Sequence, residues 1–182
     1  MMRGLVKLGF SFVIAIAYAA YKAEGINALL LFMPAKFIAA TLRAHGAQIG
    51  ERVEMHAPLL IHNARAEAGR HYENLKIGDD CYFGRDVFLD LKDELRFEDE
   101  VTVSMRVTLL THTDVGKSPL AAQMPPSHAP VVLRRGAYVG AGAIILQGVE
   151  IGAEAVVGAG AVVTVSVPPR STWAGVPAHA IR

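Results

Sequence analysis

The sequence predicts an all-β domain, a parallel β-helix built from six-residue repeats, preceded by N-terminal helices. Three observations carry this. Large apolar side chains recur every six residues, small residues recur at a second fixed place in the same repeat, and glycine often follows the large residue. A helix repeats every ~3.6 residues and an ordinary strand every ~2, so a period of six belongs to neither. It fits a chain in which each repeat supplies one short strand and one turn.

The repeats are clearest in the C-terminal half. Leu133, Val139, Ile145, Ile151, Val157 and Val163 lie six apart without a miss. Ala137, Ala143, Val149, Ala155 and Ala161 hold the small inward place, and Gly140, Gly152 and Gly158 follow the aliphatic residue where the chain bends. Upstream, the sets Ile49–Met55–Ile61, Ile77–Phe83–Leu89 and Phe97–Val103–Leu109 continue the pattern, which makes fifteen repeats. Ten extra residues precede Ile77, eighteen precede Leu133, and two separate Leu89 from Phe97. Insertions between repeats are expected to leave the prism as loops.

The first 46 residues differ, and 47–182 form the expected β-helix domain, with a loop at 112–130. Leu8 to Ala20 is apolar on all faces apart from Ser11, behind Arg3 and Lys7. The run from Ile26 to Ala47 is helical in pattern, with Pro34 suited to a helix start or kink. Three readings are open: helices lying on a membrane surface, helices packed against partner subunits, and a secretory signal. Leu8–Ala20 alone is short for a membrane span. Lys36 and Arg43 among apolar residues favour an interfacial position.

Length and charge bound the rest. The 182 residues suit one domain, and a net charge of +1 implies no nucleic-acid partner. The single cysteine, Cys81, excludes an intrachain disulfide and sits at a small inward place, as a core thiol would. His56 and His62, six apart, lack the spacing of a metal pair, so no metal is expected.

From Ala129 to Arg182 the chain closely resembles the hexapeptide-repeat acyltransferases, in particular galactoside and maltose O-acetyltransferases and the sugar O-acetyltransferases of polysaccharide clusters. The repeats carry this resemblance, together with "VVT" followed by "VPP" and a late "AGVPA". It implies a left-handed β-helix with three repeats per triangular coil, hence about five coils. It also implies a homotrimer with acetyl-CoA between neighbouring prisms. By ungapped match it places Tyr138, Ala141, Ala159, Thr164 and Arg182 at the cofactor. Val165 stands where relatives carry lysine and His179 replaces another cation, which shifts the phosphates toward Arg182, Arg170 or Arg134.

The same resemblance puts the catalytic histidine at His112, in "LLTHTDVGKSP", where imidazole would act as general base toward a hydroxyl. N–H groups near Gly140 and Ala141 would serve a developing oxyanion. Register places Asp90 under the His112 loop. Asp90, Lys92 and Asp114 are the expected acceptor-binding residues, with an Asp90–Lys92 ion pair and an imidazole-orienting Asp114 as further readings. The implied activity is transfer of acetyl from acetyl-CoA to a sugar, polysaccharide precursor or glycolipid at the cytosolic face of the membrane. N-acetylation of an amino sugar and a non-catalytic scaffold are the alternatives.

Overall fold

The computed structural model describes residues 2–64 and 70–181, with side chains from Gly9 onward. Three parallel sheets form the faces of a triangular prism, and successive strands visit the faces in turn. The first face holds Gln48–Ile49, Leu75–Ile77, Leu95–Phe97, Val131–Leu133 and Glu150–Ile151. The third holds Leu59–His62, Val87–Asp90, Thr108–Leu109, Ile144–Ile145 and Val162–Val163. The second begins with Glu54–Met55, Tyr82–Phe83, Thr102–Val103, Tyr138–Val139 and Val156–Val157, and runs two strands further.

The six-residue rule has a direct physical basis in this arrangement. Of the fifteen large residues, all but Ile49 are buried, and the small residues between them fill the corners of the core. Like residues stack on like from coil to coil, as in Ile61, Leu89, Leu109, Ile145 and Val163. Cys81 is 1% exposed, and burial pushes its thiol up to about 11. Gly140 is required by close approach: a Cβ there would lie 2.6 Å from the backbone N of Ala159 on the next coil.

The expected N-terminal helices occupy Met2–Leu30 (α1) and Ala35–Ala44 (α2), so the all-β description covers the prism alone. One feature departs from the sequence reading: a partial sixth coil follows the five expected. Val167 bridges to Ile151, Thr172–Ala174 adds to the second face, and His179–Ala180 turns back antiparallel against it. The step from Val163 to Val167 breaks the spacing of six, which hid this coil.

α1 is two helical stretches joined at a kink at Lys22 (φ 52°, ψ −132°), between the apolar runs that end at Ala20 and begin at Ile26. Its second half packs on the prism through Ala23, Ile26 and Leu30, all buried. α2 starts after Pro34 and buries Ile38, Thr41 and Leu42. Gly46 (φ 112°) follows it, and Arg43 ties its end to the carbonyls of Ile49 and Gly50. Helices and prism share one apolar core.

Candidate active site

The long insertion after Leu109 folds back as a hairpin. His112–Thr113 pairs antiparallel with Ser127–His128, which puts His112 opposite His128. A 3-10 turn at Pro119–Ala122 lies within the loop, with the Ser118 hydroxyl accepting from the Leu120 N–H. Gln147, on the following coil, donates to the hydroxyls of Thr113 (3.2 Å) and Ser127 (2.9 Å), so both hairpin strands are pinned to the prism.

This hairpin covers the end of the strand Val87–Asp90. Strand alternation turns Asp90 outward like Phe88, but beneath the hairpin Asp90 is wholly buried. One carboxylate oxygen accepts from the Asn63 amide (2.7 Å) and the Lys92 N–H (3.3 Å). The other accepts from the Thr111 N–H (2.8 Å) and His112 Nδ1 (2.5 Å), with the Thr111 hydroxyl 3.0 Å away. Asn63 has φ 57°, a left-handed backbone that asparagine tolerates, and its amide reaches Asp90 from there. Burial works against ionisation of Asp90, but the hydrogen bonds from His112, Asn63 and Thr111 outweigh it. The carboxyl is held below the usual carboxylate range.

The chemical consequence lies in the imidazole. An ionised carboxylate only accepts hydrogen bonds, so Nδ1 of neutral His112 carries the proton. Nε2, on the opposite side of the ring, is left as a base. His112 borders a cavity of about 320 Å³ lined also by Asn63, Lys92, Thr113, Asp114, Ser127 and His128. His112 keeps 24% side-chain exposure, enough for a small group to reach the ring.

Three expectations are corrected here. Asp90 does not bind an acceptor: it is buried, and it holds His112. The Asp90–Lys92 ion pair is replaced by a bond from the Lys92 backbone, and the Lys92 side chain lines the cavity. Asp114 does not orient the imidazole, since its carboxylate accepts from the Gly116 N–H (2.6 Å), and it stands at the cavity rim.

The structure also adds His128, which the sequence reading did not single out. Its Nδ1 lies 2.7 Å from Asp93, so two Asp–His pairs border one cavity. Only the hairpin register aligns them, because fifteen residues lie between the two histidines. His62 lies with its ring 6.1 Å from that of His112, and His56 pairs with Glu54 at 2.8 Å.

The expected cofactor residues lie elsewhere on the prism. Ala141 and Ala159 stack at the edge between the second and third faces, where the Gly160 N–H bonds the Ala141 carbonyl. Gly142 (φ 70°) and Gly160 (φ 67°) border open space there. Tyr138 is exposed on the second face, and Thr164 is exposed just past the third. His112 sits at a different edge, between the third and first faces. The Gly140 N–H is not available to an oxyanion, because it bonds the Val157 carbonyl at 2.8 Å. Arg134 is held by Glu98 and Glu150, so it is not open to phosphates. Arg182 lies outside the described residues. Among the described residues no cluster suits a metal.

Comparison with known proteins agrees with this architecture. The model for bacterial transferase hexapeptide (six repeats) matches residues 130–164. The 2,3,4,5-tetrahydropyridine-2,6-dicarboxylate N-acetyltransferase of Staphylococcus aureus (strain JH9) is 47% identical over 58 residues, 32% of this chain. The chain spans only 24% of the length of that relative. A hexapeptide-repeat acetyltransferase from Vibrio cholerae superimposes with a TM-score of 0.74 at 23% identity, over 93% of this chain and 91% of its own. A galactoside acetyltransferase in complex with coenzyme A gives 0.73 at 20% identity, over 93% and 81%. A maltose O-acetyltransferase from Clostridium difficile 630 gives 0.67 at 23%, over 87% and 82%. These likenesses imply that the prism winds left-handed. The chain thus carries hexapeptide repeats and is similar in fold to the galactoside and maltose acetyltransferases.

Proposed function

We propose that the protein is an acetyl-CoA-dependent acyltransferase that acetylates a hydroxyl of a sugar, a polysaccharide precursor or a glycolipid. The observation that carries this reading is the Asp90–His112 pair at 2.5 Å, with His112 bordering a cavity of about 320 Å³. His112 Nε2 takes the proton of the acceptor hydroxyl as the oxygen bonds to the thioester carbonyl carbon. The carbon–sulfur bond then breaks, and the imidazolium returns the proton to the departing thiolate. Asp90 fixes the tautomer at the start and stabilises the imidazolium between the two transfers.

The open, small-residue edge at Ala141, Gly142, Ala159 and Gly160 fits a pantetheine arm lying along the coils, since no side chains project there. It stands on a different edge from His112 within one prism. A site shared between neighbouring copies brings two such edges together, which supports a homotrimer. Acetylation of an amine needs the same base. The 58-residue match to an N-acetyltransferase keeps an amino sugar as the second reading.

The N-terminus supports a place at the cytosolic membrane surface. Phe12 (67%), Ile16 (53%) and Tyr21 (73%) stand exposed on α1, and Phe32 follows at 85%. Gly9–Leu30 is long and apolar enough to cross a membrane by length and composition. One face of its second half (Ala23, Ile26, Leu30) is buried on the prism, so the arrangement favours a helix lying on lipid over one passing through it.

The test is His112→Ala, with thiol release from acetyl-CoA followed across a panel of sugar and amino-sugar acceptors. Turnover should fall about 10²- to 10⁴-fold in a protein that still unfolds in one cooperative transition, with a Tm lowered by the loss of one donor to buried Asp90. Wild-type turnover in the variant overturns the mechanism.

A further inference from the structure

Asn63 lines the polar cavity, and the preceding residue, His62, lines a second groove of about 340 Å³ between α1 and the third face. Its floor is Leu60, 37% exposed, and Phe88, and its wall is Ala28 of α1 and Leu31 just past its end. The rings of Phe88, His62 and His112 follow one another at centroid spacings of 6.2 and 6.1 Å, so one imidazole ring, His62, stands between the groove and the base. Asn27 also borders it, but its carbonyl oxygen already accepts from the Tyr72 hydroxyl at 2.9 Å, and Glu24 stands exposed at the rim. At the far end, Leu31 is shared with a further cavity of about 510 Å³ beside Met33, Pro34 and Pro58.

We infer that this groove binds an aliphatic chain carried by the acceptor, so that the acetylated group sits at His112 while the chain lies over Phe88 and Leu60 against α1. The inference rests on the transferase reading and narrows its acceptor to an amphipathic one. A polar pocket beside a largely apolar trough, with the consecutive residues Asn63 and His62 one on each, matches a molecule with a polar head and an apolar tail. A short, fully polar acceptor would leave Leu60 and Phe88 uncovered. Each methylene buried there improves binding by up to about fourfold.

The experiment compares methyl and octyl glycosides of the same sugars, below the micelle concentration, with full-length protein and saturating acetyl-CoA. Both members of an accepted pair should be acetylated with similar kcat, and KM should fall at least about tenfold from methyl to octyl. Leu60→Glu and Ala28→Glu, both on the groove and away from the polar cavity, should abolish that gain and leave methyl glycoside kinetics unchanged. Equal KM values within a pair, or a gain that survives both substitutions, overturn the groove while the transferase reading stands. If no glycoside is acetylated, the transferase reading fails, and equilibrium dialysis of the octyl glycoside decides the groove alone. Retention by the wild type and loss in both variants supports it, and no retention by the wild type overturns it.

Discussion

Asp90→Asn is the most informative single change, because it alters charge and hydrogen-bonding capacity with almost no change in shape. The carboxylate accepts at both oxygens, and an asparagine can accept at only one. Placing its carbonyl toward Thr111 and His112 points the new NH₂ group at the Lys92 N–H and at Asn63. The Asn63 amide can turn over to present its oxygen, but the Lys92 N–H cannot, so one donor loses its partner. A buried donor left unpaired costs about 1–3 kcal/mol, and the variant should be less stable by that amount. Catalysis should suffer more. Unit charges roughly 4 Å apart near a protein surface interact by about 4 kcal/mol. That energy supports the imidazolium formed during transfer, and its loss corresponds to about 10³-fold in kcat. Thiol release from acetyl-CoA measures kcat, and chemical denaturation measures stability. Turnover within threefold of wild type, in a protein whose His112→Ala variant is inactive, would refute the claim that Asp90 supports the base.

Two further outcomes follow from the same geometry. The folded pKa of Asp90 lies below its unfolded value of about 3.9, so Asp90 stabilises the fold above that value, and the contribution is lost as pH falls through the lower folded one. The Tm difference between wild type and Asp90→Asn should therefore be full at neutral pH and shrink below about pH 4, and a constant difference would contradict this. Gly140→Ala pushes a methyl group against the backbone of the next coil and should destabilise by about 2–3 kcal/mol. Gly142→Ala meets open space and only backbone strain, about 1–2 kcal/mol, so a reversed order in denaturant melts would count against the stacking argument.

The prism was legible because each coil repeats the same steric demand. A buried aliphatic every six residues and a small residue at each corner leave a written period, and Leu133 to Val163 follow it without a gap. The helices were legible as apolar segments, but not their attachment. Ile26 and Leu30 read as part of a helical run and Phe12 and Ile16 as part of an apolar one, and only tertiary packing shows that the first pair is buried and the second exposed. The site was half legible. His112 stands at a predictable loop start, and register puts Asp90 beneath it. The burial of Asp90 depends on the hairpin closing over it, a non-local event with no period. His128 is invisible for the same reason, since a pairing across a loop is fixed by the turn and the Gln147 anchor rather than by spacing along the chain.

A stack of parallel coils is open at both ends, and an open end is a row of unpaired N–H and C=O groups that another prism can continue. Here α2 packs on the first strands, Gln48–Ile49 and Glu54–Met55, at one end, and His179–Ala180 reverses direction against Thr172–Ala174 at the other. The two ends are thereby mismatched: neither offers a flat parallel template for the other. Growth along the axis, which would turn stacked prisms into a fibre, is blocked by two unrelated devices, and association is directed to the sides of the prism. Losing either terminus would thus threaten solubility before it threatened the core, because the remaining coils would keep their packing while gaining an edge able to polymerise.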